Sequence, residues 1–218
     1  MALVNEPEGH RDEYFVRRLE AFGDIVIGFS LALLALSLIV PDHARSLLEH
    51  RTWLIAYVWT FALICSMWGS HYWTFRYVFT PTRVAVVLNY VKLALIVLLI
   101  FAVQVLLKAL AAGDPRDVAV ANEFYWGCLC AYWLVAGLLL AEGLRARKKY
   151  LAPEIVARCQ NRLWRLAVIV PVLVAGILIG SRYDADQMAS TVATFMVAGV
   201  VIGAAAGRIA ARYGGRTK

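Results

Sequence analysis

From residue 25 to residue 40 the chain carries no charged side chain. An α-helix rises about 1.5 Å per residue, so a helix over residues 21–40 would be about 30 Å long, the thickness of a bilayer's hydrocarbon core. Five more apolar runs follow, at about 53–78, 84–107, 120–140, 166–179 and 188–205, with short polar links between them. A chain that is 61% hydrophobic and 17% charged in this pattern is a polytopic membrane protein, not a soluble domain. The expected fold is therefore all-α, with six transmembrane helices. A charged, mobile leader over residues 1–19 precedes the six-span domain of residues 20–211, and a basic tail occupies 212–218.

The links carry their own signals. Pro41 stops the first run, Thr80-Pro81-Thr82-Arg83 reads as a tight turn, and Gly113-Asp114-Pro115-Arg116-Asp117 reads as a link. Residues 144–165 form the longest polar segment, with basic residues at helical spacing that extend the fourth and fifth spans beyond the membrane. Gly199, Gly203 and Gly207 would let the sixth span approach a neighbour closely. With the N-terminus inside, sixteen Lys and Arg residues fall on inner segments; only Arg45, Arg51, Lys108, Arg116 and Arg182 fall on outer ones. That bias puts both termini in the cytoplasm, as an even number of spans requires. No internal duplication is visible, so a symmetric pore would need several copies of the chain.

Several function classes drop out. The net charge is +7, but the basic residues flank apolar spans, which argues against nucleic acid as a partner. Cys65, Cys128, Cys130 and Cys159 form no paired framework, and Cys128-Leu129-Cys130 lacks metal spacing and histidine partners. No nucleophile motif, phosphate loop or histidine cluster is present, so neither an enzyme, a cofactor nor a bound metal is expected. The first run is too long for the core of a cleavable signal peptide.

The polar residues inside the spans are the candidates for function. Asp24 lies about one turn inside the hydrophobic zone, where an unpaired carboxylate costs several kcal/mol. The plain alternative is that it sits in the interface and orients the helix. The first span runs outward and the second runs back, which brings Trp68 and His71 to the depth of Asp24. Those two residues are three apart and share a helix face. Taken singly, Trp68 reads as an interface-belt aromatic and His71 as a headgroup-level residue; convergence at one depth reads as a polar network. Arg18 and Asp24 are six apart and share no face, so their partners should come from the second span, the third span or a neighbouring subunit. Lys92 should snorkel or pair with Glu142. On the first span, Phe29, Leu33, Leu36 and Val40 form an apolar stripe, whose ordinary reading is contact with lipid or core. Beside it runs a more polar stripe that includes Ser30, Leu33 and Ser37.

Arg18-x-x-x-Phe22-Gly23-Asp24 resembles the Arg-x-x-x-Phe-Ser-Asp signature that opens the first span of transmembrane protein 175, the endosomal and lysosomal potassium channel, and of its prokaryotic homologues. Trp68 and His71 resemble the Trp-x-x-His segment of that family's second span, and Leu88-Asn89 the Leu-Asn start of its third. A single six-span unit is similar in length to a prokaryotic member. The resemblance implies a homotetramer whose pore is lined by the first span, with a constriction of bulky apolar side chains. By position the constriction falls on Phe29, with Ala32, Leu33 and Leu36 along the same path and Ser30 and Ser37 on the alternative pore face. It also implies that Arg18, Phe22, Asp24, Trp68, His71 and Asn89 belong to the inner network. Two departures stand out. Ala32 occupies a position where many prokaryotic members have threonine, which removes a ring of hydroxyls and a basis for choosing potassium. Gly23 replaces the usual serine.

The reading is thus a potassium-permeable cation leak channel in a bacterial inner membrane. Its partners are its own copies, the lipid bilayer and monovalent cations. The rivals are a secondary transporter, which would need broken helices in matched halves, and a membrane scaffold that moves nothing. Pro171, within the fifth span, has no counterpart in the first half.

Overall fold

The computed structural model describes residues 8–36 and 51–180. They form five α-helices: α1 (Glu8–Leu36), α2 (Arg51–Tyr77), α3 (Arg83–Ala112), α4 (Pro115–Arg147) and α5 (Pro153–Gly180). No strand occurs among the described residues. The stop at Pro41, the sixth span with its glycine motif, the basic tail, Val40 and Ser37 lie outside the described residues.

Local sequence accounts for the helix ends. Thr82 caps α3 from an extended conformation, its hydroxyl oxygen accepting the Ala85 N–H at 3.1 Å. Gly113 ends α3 at φ 74, a left-handed backbone that costs glycine nothing, and its N–H returns to the Ala109 carbonyl at 3.1 Å. Asp114 then caps α4 through a carboxylate oxygen that accepts from the Arg116 N–H, and Pro115 occupies the first turn. The expected link at 113–117 therefore shrinks to Gly113 and Asp114. The basic segment is helical on both sides of a short break: α4 runs on to Arg147 and α5 starts at Pro153.

The leader is the main departure from expectation. Residues 8–19 are not a separate mobile arm but the first turns of α1. Leu19 is buried, with Val16 beside it, against Phe75 and Phe79 at the end of α2 and Ala85 and Leu139 of the next helices. Arg17 and Glu13 add an exposed ion pair one turn apart, worth a few tenths of a kcal/mol. Glu13, Arg17 and Arg18, among the charges that marked this stretch as a leader, lie on the outer side of a helix whose other side is packed.

Among the described residues three helices are long and apolar enough to cross a membrane: Glu13–Leu36 of α1, all of α3 and all of α4. The other two are long enough, with 27 residues in α2 and 28 in α5. Trp, Tyr and His lower the hydropathy of α2, and basic first turns lower that of α5. The protein is a helical membrane protein on this composition. α3 lies centrally, packed on α4 most extensively, on α1, and least on α2; α1 also packs on α2, and α5 on α4. Ile27 and Leu34 of α1, Ile64 and Met67 of α2, Leu93 to Val103 of α3 and Leu129 and Tyr132 of α4 share one core. In hydrocarbon such cores rest on close fit, not on release of water. Gly143 shows how close: a Cβ there would lie 2.7 Å from the Val78 carbonyl oxygen.

Candidate functional site

α1 and α2 pack antiparallel, so Leu19 meets the end of α2 at Phe75 and Phe79 while Asp24 meets α2 a few turns earlier, at Trp68. The Trp68 indole N–H donates to Asp24 Oδ1 at 2.9 Å. The carboxylate thus has an intramolecular donor at the depth where it needs one. Trp68 stacks on Tyr72, whose hydroxyl accepts from Arg76 one turn further along.

His71 lies on the neighbouring face and is fully buried. Its Nδ1 is 2.9 Å from the Lys92 ammonium of α3, itself only 2% exposed. An ammonium can only donate, so Nδ1 accepts and the ring proton belongs on Nε2. That nitrogen lies against the backbone of α1, within reach of the Glu20 carbonyl, and has no well-formed hydrogen bond among the described residues. The ring fits only because residue 23 is glycine. A Cβ on Gly23 would come within 2.3 Å of Nε2 and 2.6 Å of Cε1. Where the resembling family has a serine, this chain seats an imidazole.

The remaining signature residues divide. Phe22 meets Tyr90 of α3 edge to face, with centroids 6.2 Å apart. Asn89, fully buried, finds no hydrogen-bond partner for its amide among the described residues. Arg18 does not reach Asp24, α2 or α3: its contact is with Tyr14 on its own helix, the guanidinium carbon 5.6 Å from the ring centre. Lys92 does not pair with Glu142 either. Glu142 instead accepts from Arg145, at 2.8 Å to each oxygen, and from the Thr82 hydroxyl at 3.0 Å, tying the start of α3 to the end of α4. Lys92 lies too deep in the core of the α1, α2 and α3 packing to reach the end of α4, and the imidazole meets it there. The Gly23–His71–Lys92 arrangement was the part of the site that sequence reasoning missed. Its only signal was the smallest residue standing where the family carries a side chain.

The other face of α1 is bare. Phe29 is 69% exposed and Leu36 is 81% exposed, with Ile25, Ala32 and Leu33 also uncovered by the described helices. Ile27, Ser30 and Leu34 occupy the opposite, packed side. Ser30 is 1% exposed and donates its hydroxyl proton to the Val26 carbonyl at 2.9 Å. Its hydroxyl is thus spent on its own helix, on the packed side of α1. The other member of the alternative pore face, Ser37, lies outside the described residues.

Comparison with known proteins adds three findings. The family model of the endosomal/lysosomal potassium channel TMEM175 matches residues 18–99, the stretch from Arg18 through α1, α2 and much of α3. The fold is similar to that of a lysosomal potassium-selective channel TMEM175 homologue from Chamaesiphon minutus, with a TM-score of 0.68, 20% identity, and 87% of this chain and 98% of that one covered. It is also similar to the potassium channel MtTMEM175, crystallised as a threonine-to-alanine variant with a nanobody–MBP fusion, at a TM-score of 0.67 and 18% identity, covering 89% and 93% of the two chains. No curated protein matches the sequence.

Proposed function

We infer that this chain, a homologue of TMEM175 and not an enzyme, is a potassium-permeable cation channel whose conduction path is formed by α1 from four copies. The observation that carries the reading is the uncovered apolar stripe of α1. Ile25, Phe29, Leu33 and Leu36 are large and exposed among the described residues, while the other side of α1 is packed and holds its one described serine. An aromatic or aliphatic ring of this kind, repeated about a symmetry axis, makes a narrow neck that resists wetting, so cations shed part of their hydration to cross it. Phe29 is the bulkiest member of the stripe and forms the neck; Ala32, Leu33 and Leu36 continue it. The inner cluster of Asp24, Trp68, Gly23, His71 and Lys92 holds α1 against α2 and α3 and so fixes the rotation that presents Phe29 to the axis. Six spans with both ends in the cytoplasm of a bacterium complete the reading. The path conducts as a leak, without a carbonyl filter.

Flux of potassium and sodium from proteoliposomes at matched protein density tests it. Phe29→Ala widens the neck and should raise both fluxes and reduce discrimination between the ions; Ala32→Thr adds a hydroxyl ring and should sharpen discrimination. A channel equilibrates its ions without saturable counter-transport, which separates this reading from a transporter. Unchanged flux in Phe29→Ala together with altered flux in the buried Ser30→Val would mean that another face of α1 lines the path. A monomer that still conducts would end the shared-axis reading.

A further inference from the structure

Away from α1, a cavity of about 410 Å³ opens between α2, α4 and α5. One wall carries Arg162 and Arg165 of α5, and facing them are Ser66, Ser70 and Thr74, successive turns of one side of α2. The other end is apolar, with Trp133 and Ala136 of α4 and Leu166 and Ile169 of α5. The division follows the sequence of α5. Its first turns hold Arg158, Arg162 and Arg165, and from Leu166 onward no charge appears until the helix ends. The cavity thus straddles the point where α5 passes from the interface into hydrocarbon.

Two arginines face a polar wall, and among the described residues no carboxylate lines the cavity. Among the described residues neither guanidinium is part of an ion pair. Arg162 is held by its face, its guanidinium carbon 3.9 Å from the centre of the Trp73 ring. Stacking of that kind uses the plane of a guanidinium and leaves its edge N–H donors for an anion, for which their fork is shaped. The apolar end excludes a small hydrophilic ion as the natural occupant, and the volume falls in the range of small-molecule sites, about 300–1,000 Å³.

We propose that this cavity is a binding site for an anionic phospholipid, with the phosphate held by Arg162 and Arg165 and the start of the acyl chains lying against Trp133, Leu166 and Ile169. Ser70 supplies a hydroxyl to the head; Thr74 already donates its own to the Ser70 carbonyl at 2.8 Å. The site is separate from the proposed conduction path, and a protein that conducts nothing would still bind lipid here.

The test is a titration of the full-length, delipidated protein with phosphatidylglycerol or phosphatidylcholine in detergent, read by native mass spectrometry. Phosphatidylglycerol should bind at least tenfold more tightly. Arg165→Gln should weaken it about fivefold, as expected for one basic residue near an anionic head, and leave phosphatidylcholine binding alone. Gly69 also lines the cavity, and a Cβ there meets nothing within 4 Å. Gly69→Leu should therefore fill the space and weaken phosphatidylglycerol at least fivefold without lowering the melting temperature, which keeps the test independent of any folding defect in Arg165→Gln. Equal binding of the two lipids, or unchanged binding in both variants, overturns the proposal. So does competition by glycerol 3-phosphate or inorganic phosphate as potent as by the whole lipid, which would make the site one for a free anion.

Discussion

Replacing Gly23 by alanine is the sharpest test of how α1 is seated. Alanine normally stabilises a helix interior over glycine, by about 0.5–1 kcal/mol. Here the new methyl would lie 2.3 Å from His71 Nε2, where ordinary contacts need about 3.5 Å, so the ring must retreat by about 1.2 Å. His71 is fully buried and its Nδ1, on the far side of the ring from Gly23, is 2.9 Å from Lys92 Nζ, so the ring cannot retreat by that much without crowding the ammonium or swinging out of the hydrogen bond. Overpacking costs about 1–3 kcal/mol and stranding a buried polar group about 1–3 more. After the propensity gain is subtracted, Gly23→Ala should destabilise by about 1–5 kcal/mol. In a His71→Ala background the obstacle is gone, and the same substitution should stabilise by the propensity term alone. The sign of its effect on the melting temperature of the detergent-purified protein should therefore reverse between the two backgrounds, a coupling that only contact between the two sites produces. Gly23→Ser, which restores the serine of the resembling family, should behave like Gly23→Ala. An equal rise in melting temperature in both backgrounds would refute the reasoning and remove His71 from the space beside Gly23.

Three further outcomes follow from single contacts. Trp68→Phe keeps the ring but removes the N–H that serves Asp24, and should lower thermal stability by about 1–3 kcal/mol, with Asp24→Asn in the same background adding little; full additivity of the two would sink the pairing. Gly143→Ala places a methyl 2.7 Å from a backbone carbonyl that no rotamer change can move, so it should destabilise by about 1–3 kcal/mol in the same melting assay despite alanine's better helix propensity. Thr82→Val removes both the α3 cap and the hydroxyl that donates to Glu142, and should cost about 1 kcal/mol, whereas Thr82→Ser should cost little; equal losses would mean that neither bond matters.

Depth was legible in the sequence, and direction around the helix was not. Counting residues from the ends of two antiparallel apolar runs put Asp24, Trp68 and His71 at one level, and α1 and α2 meet there. The same count could not say which neighbour each residue faces, because adjacent residues on a helix point about 100° apart. Asp24 turns to Trp68, while its neighbour Gly23 turns to His71, and so a network pictured as single divides into two contacts on adjoining faces. Lys92 joins the second because α3 is central, an arrangement that no local spacing encodes. The helical start of α1 was hidden for a related reason: Glu13, Arg17 and Arg18 dominate any count of polarity, whereas Val16 and Leu19, which settle the packing, are only two residues. The boundaries at Thr82 and Gly113–Asp114 were readable because caps and prolines act within a few residues.

The rotation of α1 links the two halves of the functional reading. Once His71 is seated against Gly23, the azimuth of the helix is set to within the width of one side chain. Six residues further, Phe29 lies about 600° round the helix, which is 120° short of two full turns. Ser30 lies 700° round, only about 20° short of two turns, and so shares the face of Gly23. The close approach at Gly23 therefore buries Ser30 and leaves Phe29 well to one side, as the exposures of 1% and 69% record. A larger residue at position 23 would push α1 away from α2 there, and would rotate or tilt Phe29 off the proposed conduction axis. On that argument Gly23→Ala should change ion flux as well as stability, and Gly23→Ala combined with His71→Ala should bring flux back towards that of the parent. Flux that follows neither change would separate the packing of α1 from the conduction path.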